Sequence, residues 1–276
     1  MNNHLAPSRK ERIAGQIAIV TGASSGIGRA TALALASAGA HVALAARRAD
    51  ALHELAAQVR ALGREALVVP TDVTQQSQVQ RLIDETWARW SRVDILVANA
   101  GEYVRAPIED LSVAHLERAL AVNFYGALYA ILGVLPHMRQ QRSGHIVLVS
   151  SMDARLCLPL DGPYIAAKCA LSGLGDVLRQ ELYASGVEVT VVFPGRVDTP
   201  LIETLEVPSI SAKIPAEAVA QAILRAIRRR QAEVMLPAQV RPLYYIKVLF
   251  PRRGDRLIRQ FRLQGWAKSE SEPSRM

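Results

Sequence analysis

Cysteine is scarce in this 276-residue sequence, which contains only Cys157 and Cys169. Two cysteines in a chain of this length form no disulfide framework, and neither lies in a CxxC pair or beside a histidine at metal-ligand spacing. The first twelve residues are polar and basic and lack the apolar stretch of an export signal. We therefore expect packing roles for both cysteines, no metal site and a cytoplasmic protein.

Aromatic residues are also few, at 5% of the chain, although hydrophobic residues of all kinds make up 50%. The abundant Ala, Leu and Val suit Ala-rich helices on an aliphatic parallel sheet better than a β-sandwich. Uninterrupted apolar runs are short, and none approaches the roughly 18 to 20 residues needed to cross a bilayer. The composition therefore favours an α/β fold without a spanning segment.

Short β-branched runs alternate from Gln16 onward with polar turns and with stretches whose apolar residues recur at helical spacing. This alternation predicts one doubly wound, Rossmann-type α/β domain with a seven-stranded, mainly parallel sheet flanked by helices. The predicted strands are 16–21, 41–46, 65–70, 94–99, 145–150, 188–193 and 233–237. The predicted helices are 26–38, 50–62, 75–90, 113–139, 164–185 and 215–230.

Three parts are expected along the chain: a flexible tail at 1–14, the Rossmann domain at 15–237, and a basic, partly apolar extension at 238–276. The net charge of +8 is concentrated near the C-terminus, because 225–262 holds 11 basic and 2 acidic side chains whereas 1–224 holds 20 and 21. The last eight residues, SESEPSRM, are polar and predicted to be disordered.

The role of the extension stays open at this point. Leu257, Ile258 and Phe261 can share one helix face while arginines occupy the other. Such a segment suits an anionic membrane surface, a partner subunit or a cover over a substrate entrance equally well. Nucleic-acid binding is not expected, because the charge is confined to this segment and no binding module accompanies it.

A glycine-rich turn, TGASSGIG, follows the first predicted strand and opens the first helix. Gly22, Gly26 and Gly28 let the backbone turn tightly and approach a pyrophosphate at a helix N-terminus. A simple strand-to-helix turn would also use glycines, so the motif acquires weight only with the residues that follow.

Ala46 ends the second predicted strand, where NAD-binding Rossmann proteins tend to carry an acidic residue for the adenosine ribose. Arg47 and Arg48 follow at once, and a guanidinium suits a ribose 2′-phosphate that a carboxylate would repel. The sequence therefore predicts NADP(H), with NAD(H) the less favoured cofactor.

Tyr164 and Lys168 lie four residues apart in YIAAK, on one face of a predicted helix. A phenol titrates near 10 in water, and a neighbouring ammonium is a direct way to bring its pKa down towards neutrality. Ser151, thirteen residues before the tyrosine, ends a strand at the same edge of the sheet and could donate a hydrogen bond to a developing oxyanion.

These motifs occur in one order: TGxxxGxG, an NAG triplet, the serine, YxxxK and a PG step. In this the sequence resembles the short-chain dehydrogenase/reductase family over roughly 15–237. The resemblance implies a catalytic tetrad in which Tyr164 is the general acid or base, Ser151 orients the carbonyl, Lys168 lowers the tyrosine pKa and holds the nicotinamide ribose, and Asn123 supports a water relay. It also implies a homodimer or homotetramer that pairs through the helices carrying Asn123 and Tyr164.

The resemblance further implies a set of cofactor contacts. Ala98 departs from the family pattern, which often has a first Asn in NNAG. Ser24 is expected to assist the two arginines in selecting the phosphate. The remaining expected contacts are Ser25 and Ile27 in the loop, Asp72 and Val73 near the adenine, Asn99, Ala100 and Gly101 at the fourth strand, Tyr164 and Lys168 themselves, and Pro194, Gly195, Val197 and Thr199 near the nicotinamide.

Substrate selection is expected from 152–163 and 201–214, which are apolar enough to favour a lipophilic carbonyl or secondary alcohol. Packing on the core explains the same apolar residues equally well. The alternative to an enzyme is a non-catalytic NADP(H)-binding sensor or scaffold on the same fold.

Overall fold

The computed structural model describes residues 13–267, which fold around a seven-stranded parallel sheet in the order β3-β2-β1-β4-β5-β6-β8. The predicted fold class is confirmed, and every strand pair in this sheet is parallel. The strands of the chain are Ile17–Thr21 (β1), His41–Ala46 (β2), Ala66–Pro70 (β3), Ile95–Ala98 (β4), Gly144–Val149 (β5), Val187–Pro194 (β6), Leu205–Glu206 (β7), Glu233–Leu236 (β8) and Trp266–Ala267 (β9).

Successive side chains on the central strands point to opposite faces of the sheet, and both faces are buried. In β4, Leu96 packs into one hydrophobic cluster and Val97 into the other. The first cluster includes helices α3, α5 and α7, and the second includes α1, α2 and α8. The helices are Gly26–Ser37 (α1), Ala49–Ala61 (α2), Gln76–Trp90 (α3), Val113–Leu120 (α4), Gly126–Gln141 (α5), Asp153–Leu156 (α6), Gly162–Glu181 (α7), Ala216–Arg229 (α8), Arg241–Leu249 (α9) and Pro251–Gln260 (α10).

The predicted helix at 113–139 is continuous but not regular. A π-helical turn at Ala121–Tyr125 joins α4 to α5 and contains Asn123. By length and composition alone, Val113–Gln141 could cross a membrane, which differs from the expectation that no segment could. In the fold this helix packs on the sheet through Ile131, Val134 and Met138, all fully buried.

The C-terminal segment folds back onto the domain. Helices α9 and α10 cross where Gly254 meets Lys247, since a Cβ on Gly254 would lie 2.7 Å from the Lys247 Cα. Ile258 and Leu263 are buried in the first cluster, and β9 pairs antiparallel with β7. The predicted apolar face is therefore only partly correct, because Ile258 is buried whereas Phe261 is 42% exposed.

The chain termini lie outside the described residues, so the predicted flexible tail and the predicted disorder of SESEPSRM are not described for 1–12 and 268–276. The last two residues of the predicted tail do belong to the fold. Ile13 is buried, and Ala14 packs against Gly39.

Burial of His145 at the start of β5 makes stability depend on pH. Its Nε2 lies 2.7 Å from Thr190 Oγ1, and burial lowers the pKa of His145 to about 4, with a smaller effect of Arg230 in the same direction. The unfolded chain binds a proton here at a higher pH than the folded chain. The contribution of His145 to the free energy of unfolding is therefore fully present above the unfolded pKa of about 6.5. It is lost as the pH falls towards 4.

We predict that His145→Gln removes this part of the pH dependence. Between about pH 6.5 and pH 4.5, the wild-type free energy of unfolding should fall more steeply than that of the variant, by up to about 1.4 kcal/mol per pH unit. Urea denaturation across this range measures both slopes. Equal slopes would contradict the assignment.

Candidate functional site

A cleft of about 470 Å³ opens at the carboxyl edge of the sheet, where the strand order reverses between β1 and β4. Open α/β sheets bind ligands at this position. Of the predicted site residues, all but Gly28 and Asn123 line this cleft. The predicted site residues that line the cleft are Gly22, Ser24, Ser25, Gly26, Ile27, Arg47, Arg48, Asp72, Val73, Asn99, Ala100, Gly101, Ser151, Tyr164, Lys168, Pro194, Gly195, Val197 and Thr199.

The loop between β1 and α1 requires its glycines. Gly22 has φ +65, and a Cβ there would lie 2.8 Å from the Ala100 Cα. At Gly28 a Cβ would lie 2.3 Å from the Gly22 carbonyl oxygen, so only glycine lets helix α1 pack this closely against the loop. Ser25 precedes α1 without capping it through its side chain. The first amides of α1 are therefore left without a side-chain cap, and the residues Ser25, Gly26 and Ile27 line the cleft, as an anion site at a helix N-terminus requires.

Asn99 fixes the end of β4 against β1. Its Nδ2 donates to the carbonyl oxygen of Thr21 at 3.0 Å, and the Thr21 hydroxyl accepts from the backbone N–H groups of Asn99 and Ala100. These bonds hold the NAG triplet beside the glycine loop. Ala98, the departure from the family pattern, is buried and leaves this contact intact.

Two arginines stand where β2 ends. The guanidinium of Arg48 donates to the carbonyl and the hydroxyl of Ser24, each at 3.3 Å, and so lies across the glycine loop. Arg47 is exposed and makes no hydrogen bond or ion pair with any residue that the structure describes. This end of the cleft is therefore positive, with Arg47 open to a ligand.

Asp72 and Val73 lie on the β3 side of the same end. Asp72 Oδ1 accepts from the backbone N–H and the hydroxyl of Thr74, at 3.0 and 2.8 Å. Val73 packs on Gly126, where a Cβ would lie 2.7 Å from it. These contacts hold the β3 turn in place at the edge of the cleft.

The residues after β6 form the opposite wall. The N–H of Gly195 donates to the Leu236 carbonyl at 2.6 Å, and Pro194 accepts from the N–H of Met152 at 2.8 Å. The methyl group of Thr199 lies against Gly26, where a Cβ would approach it to 2.7 Å. The β6 loop therefore closes over the glycine loop.

Ser151, Tyr164 and Lys168 form a buried group in the middle of the cleft. The Ser151 hydroxyl lies close enough to the Tyr164 hydroxyl to lower the tyrosine pKa, and its Oγ accepts from the Asp153 N–H at 3.1 Å. The Lys168 Nζ donates to the Val149 carbonyl at 2.9 Å and lies 5.7 Å from the centre of the Tyr164 ring. The serine at the end of β5 and the helical pair on α7 thus meet as their spacing predicts.

The acidity of Tyr164 differs from the expectation. Burial raises the pKa of Tyr164 above its usual value, and the nearby Asp153 carboxylate raises it further, while the hydrogen bond from Ser151 opposes both effects. Burial also lowers the pKa of Lys168 to about 8. The expected lowering of the tyrosine pKa is therefore wrong for this structure, because desolvation of the phenolate outweighs the opposing effects of Ser151 and Arg196.

Asn123 does not reach the cleft. Its Nδ2 donates to the carbonyls of Glu102 and Ala119, both at 2.9 Å, and its Oδ1 accepts from the Glu102 N–H at 3.2 Å. A Cβ on Gly101 would lie 2.9 Å from this oxygen and 3.6 Å from the Lys168 Nζ. The amide therefore locks the segment after β4 next to the lysine.

Several lining residues were not named as site residues from the sequence, among them Tyr103, Asp153 and Arg196, although Asp153 falls in the segment 152–163 expected to select the substrate. Arg196 directly follows the PG step and Asp153 lies two residues after Ser151, so both are sequence neighbours of residues that the motifs single out. Leu156 and Leu158, expected to shape the substrate region, are buried in the core instead. The apolar lining on this side comes from Leu201 and Ile202.

Both cysteines are exposed, which differs from the predicted packing role. The neighbouring Cys169 thiol lowers the pKa of Cys157, and Lys247 adds to this effect. Within 13–267, no group of three or more His, Cys, Asp or Glu side chains is arranged to hold a metal ion.

The parallel sheet, the glycine loop at its switch point and the Ser-Tyr-Lys group in one cleft define a Rossmann-type protein with the side chains of an oxidoreductase. The sequence pattern of the short chain dehydrogenase family matches residues 16–207. The chain belongs to this family, as its motifs indicate.

Similar proteins and solved structures support this family assignment. A fatty acyl-CoA reductase of Acinetobacter baylyi is 32% identical over 235 residues, covering 83% of this chain and 80% of the relative. An 11-beta-hydroxysteroid dehydrogenase-like protein of Arabidopsis thaliana is 33% identical over 251 residues, covering 89% and 81%. An alcohol dehydrogenase from the archaeon Thermococcus sibiricus, solved with 5-hydroxy-NADP, superposes with a TM-score of 0.74 at 27% identity, covering 80% of this chain and 95% of that one.

Proposed function

We propose that the protein is an NADP(H)-dependent oxidoreductase that interconverts a carbonyl and a secondary alcohol. The observation that carries the proposal is that Ser151, Tyr164 and Lys168 line the same cleft as the glycine loop. A non-catalytic sensor or scaffold would need no such group, and the family to which the chain belongs also argues against it.

The residues of the cleft fit a nicotinamide dinucleotide. The glycines leave space for a pyrophosphate at the N-terminus of α1, and Arg47 offers a free guanidinium beside it. When bound, the dinucleotide supplies or accepts the hydride. Lys168 would hold the nicotinamide ribose, and Val197 and Thr199 would orient the carboxamide.

Tyr164 is the proposed general acid in carbonyl reduction. Its raised pKa keeps the phenol protonated across the physiological range, which is the form that donates a proton to the carbonyl oxygen. Ser151 orients this oxygen through its hydroxyl. The Lys168 ammonium stabilises the phenolate that remains. Asn123 is bonded to Glu102 and Ala119 and fixes the segment beside the lysine instead of taking part in the expected water relay.

We predict that Tyr164→Phe keeps NADPH affinity and lowers turnover by about two to four orders of magnitude, because the proton donor is lost while the ring is retained. The measurement is NADPH oxidation with a panel of aldehydes, ketones, quinones, steroids and acyl thioesters, first with the wild type to find a substrate. NADPH fluorescence titration is the control for binding. Near-normal turnover by the variant would exclude the tyrosine role.

The preference for NADP(H) rests on the β2 end of the cleft. Ala46 places no carboxylate there, Arg47 is open to a ligand, and Arg48 lies over Ser24. A 2′-phosphate beside Arg47 gains a charge-assisted hydrogen bond that the ribose hydroxyl of NADH does not match.

We predict that Arg47→Ala weakens NADPH binding by about tenfold or more and leaves NADH binding unchanged, since a hydrogen bond to a charged group contributes roughly 1.5 to 3 kcal/mol. Dissociation constants for both reduced cofactors measure the effect. Arg139→Ala is the matched control, because Arg139 is exposed in the last turn of α5, away from the cleft. Unchanged NADPH affinity, or tighter NADH than NADPH binding by the wild type, would overturn the preference.

The proposed substrate is a lipophilic carbonyl compound or the corresponding alcohol. Leu201 and Ile202 line the same cleft as Tyr164, and Leu201 is 44% exposed. The names of the relatives, a fatty acyl-CoA reductase and an 11-beta-hydroxysteroid dehydrogenase-like protein, point to substrates of this kind.

We also propose that the protein is a cytoplasmic homodimer or homotetramer. Leu116 on α4, Leu132 on α5 and Val177 on α7 are exposed apolar residues of the helices that carry or adjoin Asn123 and Tyr164. Burying them between copies removes apolar surface from water.

Contact with an anionic membrane surface is proposed for the α9–α10 hairpin. Tyr245, Val248 and Leu249 share one exposed face of α9. On α10, Arg252 and Arg256 are exposed and make no ion pair with a described residue. An apolar ridge beside exposed arginines fits the boundary between lipid headgroups and acyl chains.

We predict that the wild type sediments with phosphatidylglycerol vesicles at low salt and that the double variant Arg252→Glu/Arg256→Glu binds at least about tenfold more weakly, since each basic residue near an anionic surface contributes about 1 kcal/mol. Arg139→Glu is the control for charge reversal elsewhere. Equal sedimentation of the double variant and the wild type would exclude this surface.

A further inference from the structure

Arg196 is a buried arginine between the cleft and the C-terminal segment. It directly follows Gly195 at the end of β6, and its side chain is 5% exposed. Its guanidinium donates to the Tyr103 hydroxyl at 2.8 Å and lies 3.6 Å from Asp153 and 3.5 Å from Asp161. Because an unpaired charge is costly to bury, these contacts fix the position of the guanidinium.

A second arginine completes the cluster. Arg105 Nε donates to Asp161 at 2.9 Å, so two guanidinium groups face two carboxylates. Asp161 is fully buried and directly precedes α7, three residues before Tyr164. The charges of Arg105, Arg196, Asp153 and Asp161 balance, so this cluster connects parts of the protein and offers no unpaired charge to an anionic ligand. We call this cluster the joint.

The same two arginines hold the C-terminal segment. The carbonyl oxygen of Gln264 accepts from Arg105 at 3.1 Å and from Arg196 at 3.4 Å, and that of Leu263 lies 3.5 Å from Arg196. Gly265 then turns the chain into β9 with φ +68. A Cβ on Gly265 would lie 2.4 Å from the Glu206 carbonyl oxygen, so the segment is pressed against β7.

Two residues that contact Arg196, namely Tyr103 and Asp153, also line the cleft that contains Tyr164. The Tyr103 ring meets the Tyr164 ring edge to face, with 5.0 Å between their centres. Tyr103, Asp153 and Arg196 all line the cleft, and β7 continues the loop that carries Leu201 and Ile202. A shift of the C-terminal segment would therefore displace the side chains that surround the carbonyl group of the proposed substrate.

We propose that Arg196 is a positioning residue that couples 263–267 to Tyr103 and Asp153, so that the C-terminal segment determines which carbonyl compounds are presented to Tyr164. The proposal rests on the oxidoreductase function proposed above. It assigns the extension to substrate selection through this joint, whereas its hairpin is a separate surface.

Two variants disturb the joint from different sides. Arg196→Lys keeps the charge but loses the planar fork that binds Tyr103 and the carbonyls of the segment together. Gly265→Ala adds a methyl group against β7 at a positive φ and touches no cleft residue. Gly63→Ala is the matched control, because Gly63 has φ +73 and open space around it.

The first measurement is hydrogen exchange of the amides at 261–267. We expect faster exchange in Arg196→Lys and Gly265→Ala than in the wild type, and no local change in Gly63→Ala. Unchanged exchange in Arg196→Lys would show that Arg196 does not hold the segment, and the proposal would fail even if the protein had no turnover.

The second measurement is KM and kcat for butanal, octanal, dodecanal and cyclohexanone with NADPH. Both joint variants should raise KM for the preferred compound by at least about tenfold and change the order of preference, since small displacements near a reacting group have large effects. Their NADPH dissociation constants should match that of the wild type. Faster exchange with an unchanged order of preference would reduce the joint to a stabilising role and contradict the proposal.

Failure of the proposed oxidoreductase function can be distinguished from failure of the coupling through Arg196. If the wild type oxidises NADPH with no carbonyl compound of this set or of the wider panel, the proposed function fails while the exchange result still decides the coupling. If the wild type is active and only the order of preference is unaffected, the inference fails alone.

Discussion

Lys168 and Tyr164 lie one helical turn apart on α7 and are both buried, and burial destabilises the charged form of each. The pKa of the lysine falls to about 8 and that of the tyrosine rises. A protonated phenol next to an ammonium that has little solvent around it is suited to give up a proton to a substrate oxygen and to be stabilised afterwards as phenolate. The rest of the site supports this pair, since Ser151 contacts the hydroxyl and Asn123 fixes the chain beside the lysine.

The sheet brings this pair to its partners. Parallel strands end at one edge, so the turn after β1, the NAG triplet after β4, Ser151 after β5 and the PG step after β6 all border one cleft. Arginines define its two ends in different ways. Arg47 is open at the end near β2, whereas Arg196 is neutralised by carboxylates at the other. The first arrangement suits a ligand phosphate and the second holds the protein together.

Local patterns allowed much of this to be predicted. The glycine loop, the helical spacing of YIAAK and the serine after a strand depend on neighbours in sequence, and the alternation of strands and helices determined the fold class. The joint at Arg196 could not be predicted, because it connects Tyr103, Asp161 and Gln264 only after the chain has folded. The raised pKa of Tyr164 was missed for a related reason: the sequence shows the nearby lysine, but desolvation depends on everything that packs around the phenol.

The proposed function requires that a single cleft holds the phosphate of the cofactor at one end and its reacting ring at the other. A crystal structure of the protein with bound NADPH tests this most directly. We expect the 2′-phosphate beside Arg47 and the nicotinamide ring at Ser151 and Tyr164, with the phenol hydroxyl facing the ring. A hydroxyl turned away from the nicotinamide, or a dinucleotide bound in the opposite direction, would contradict it.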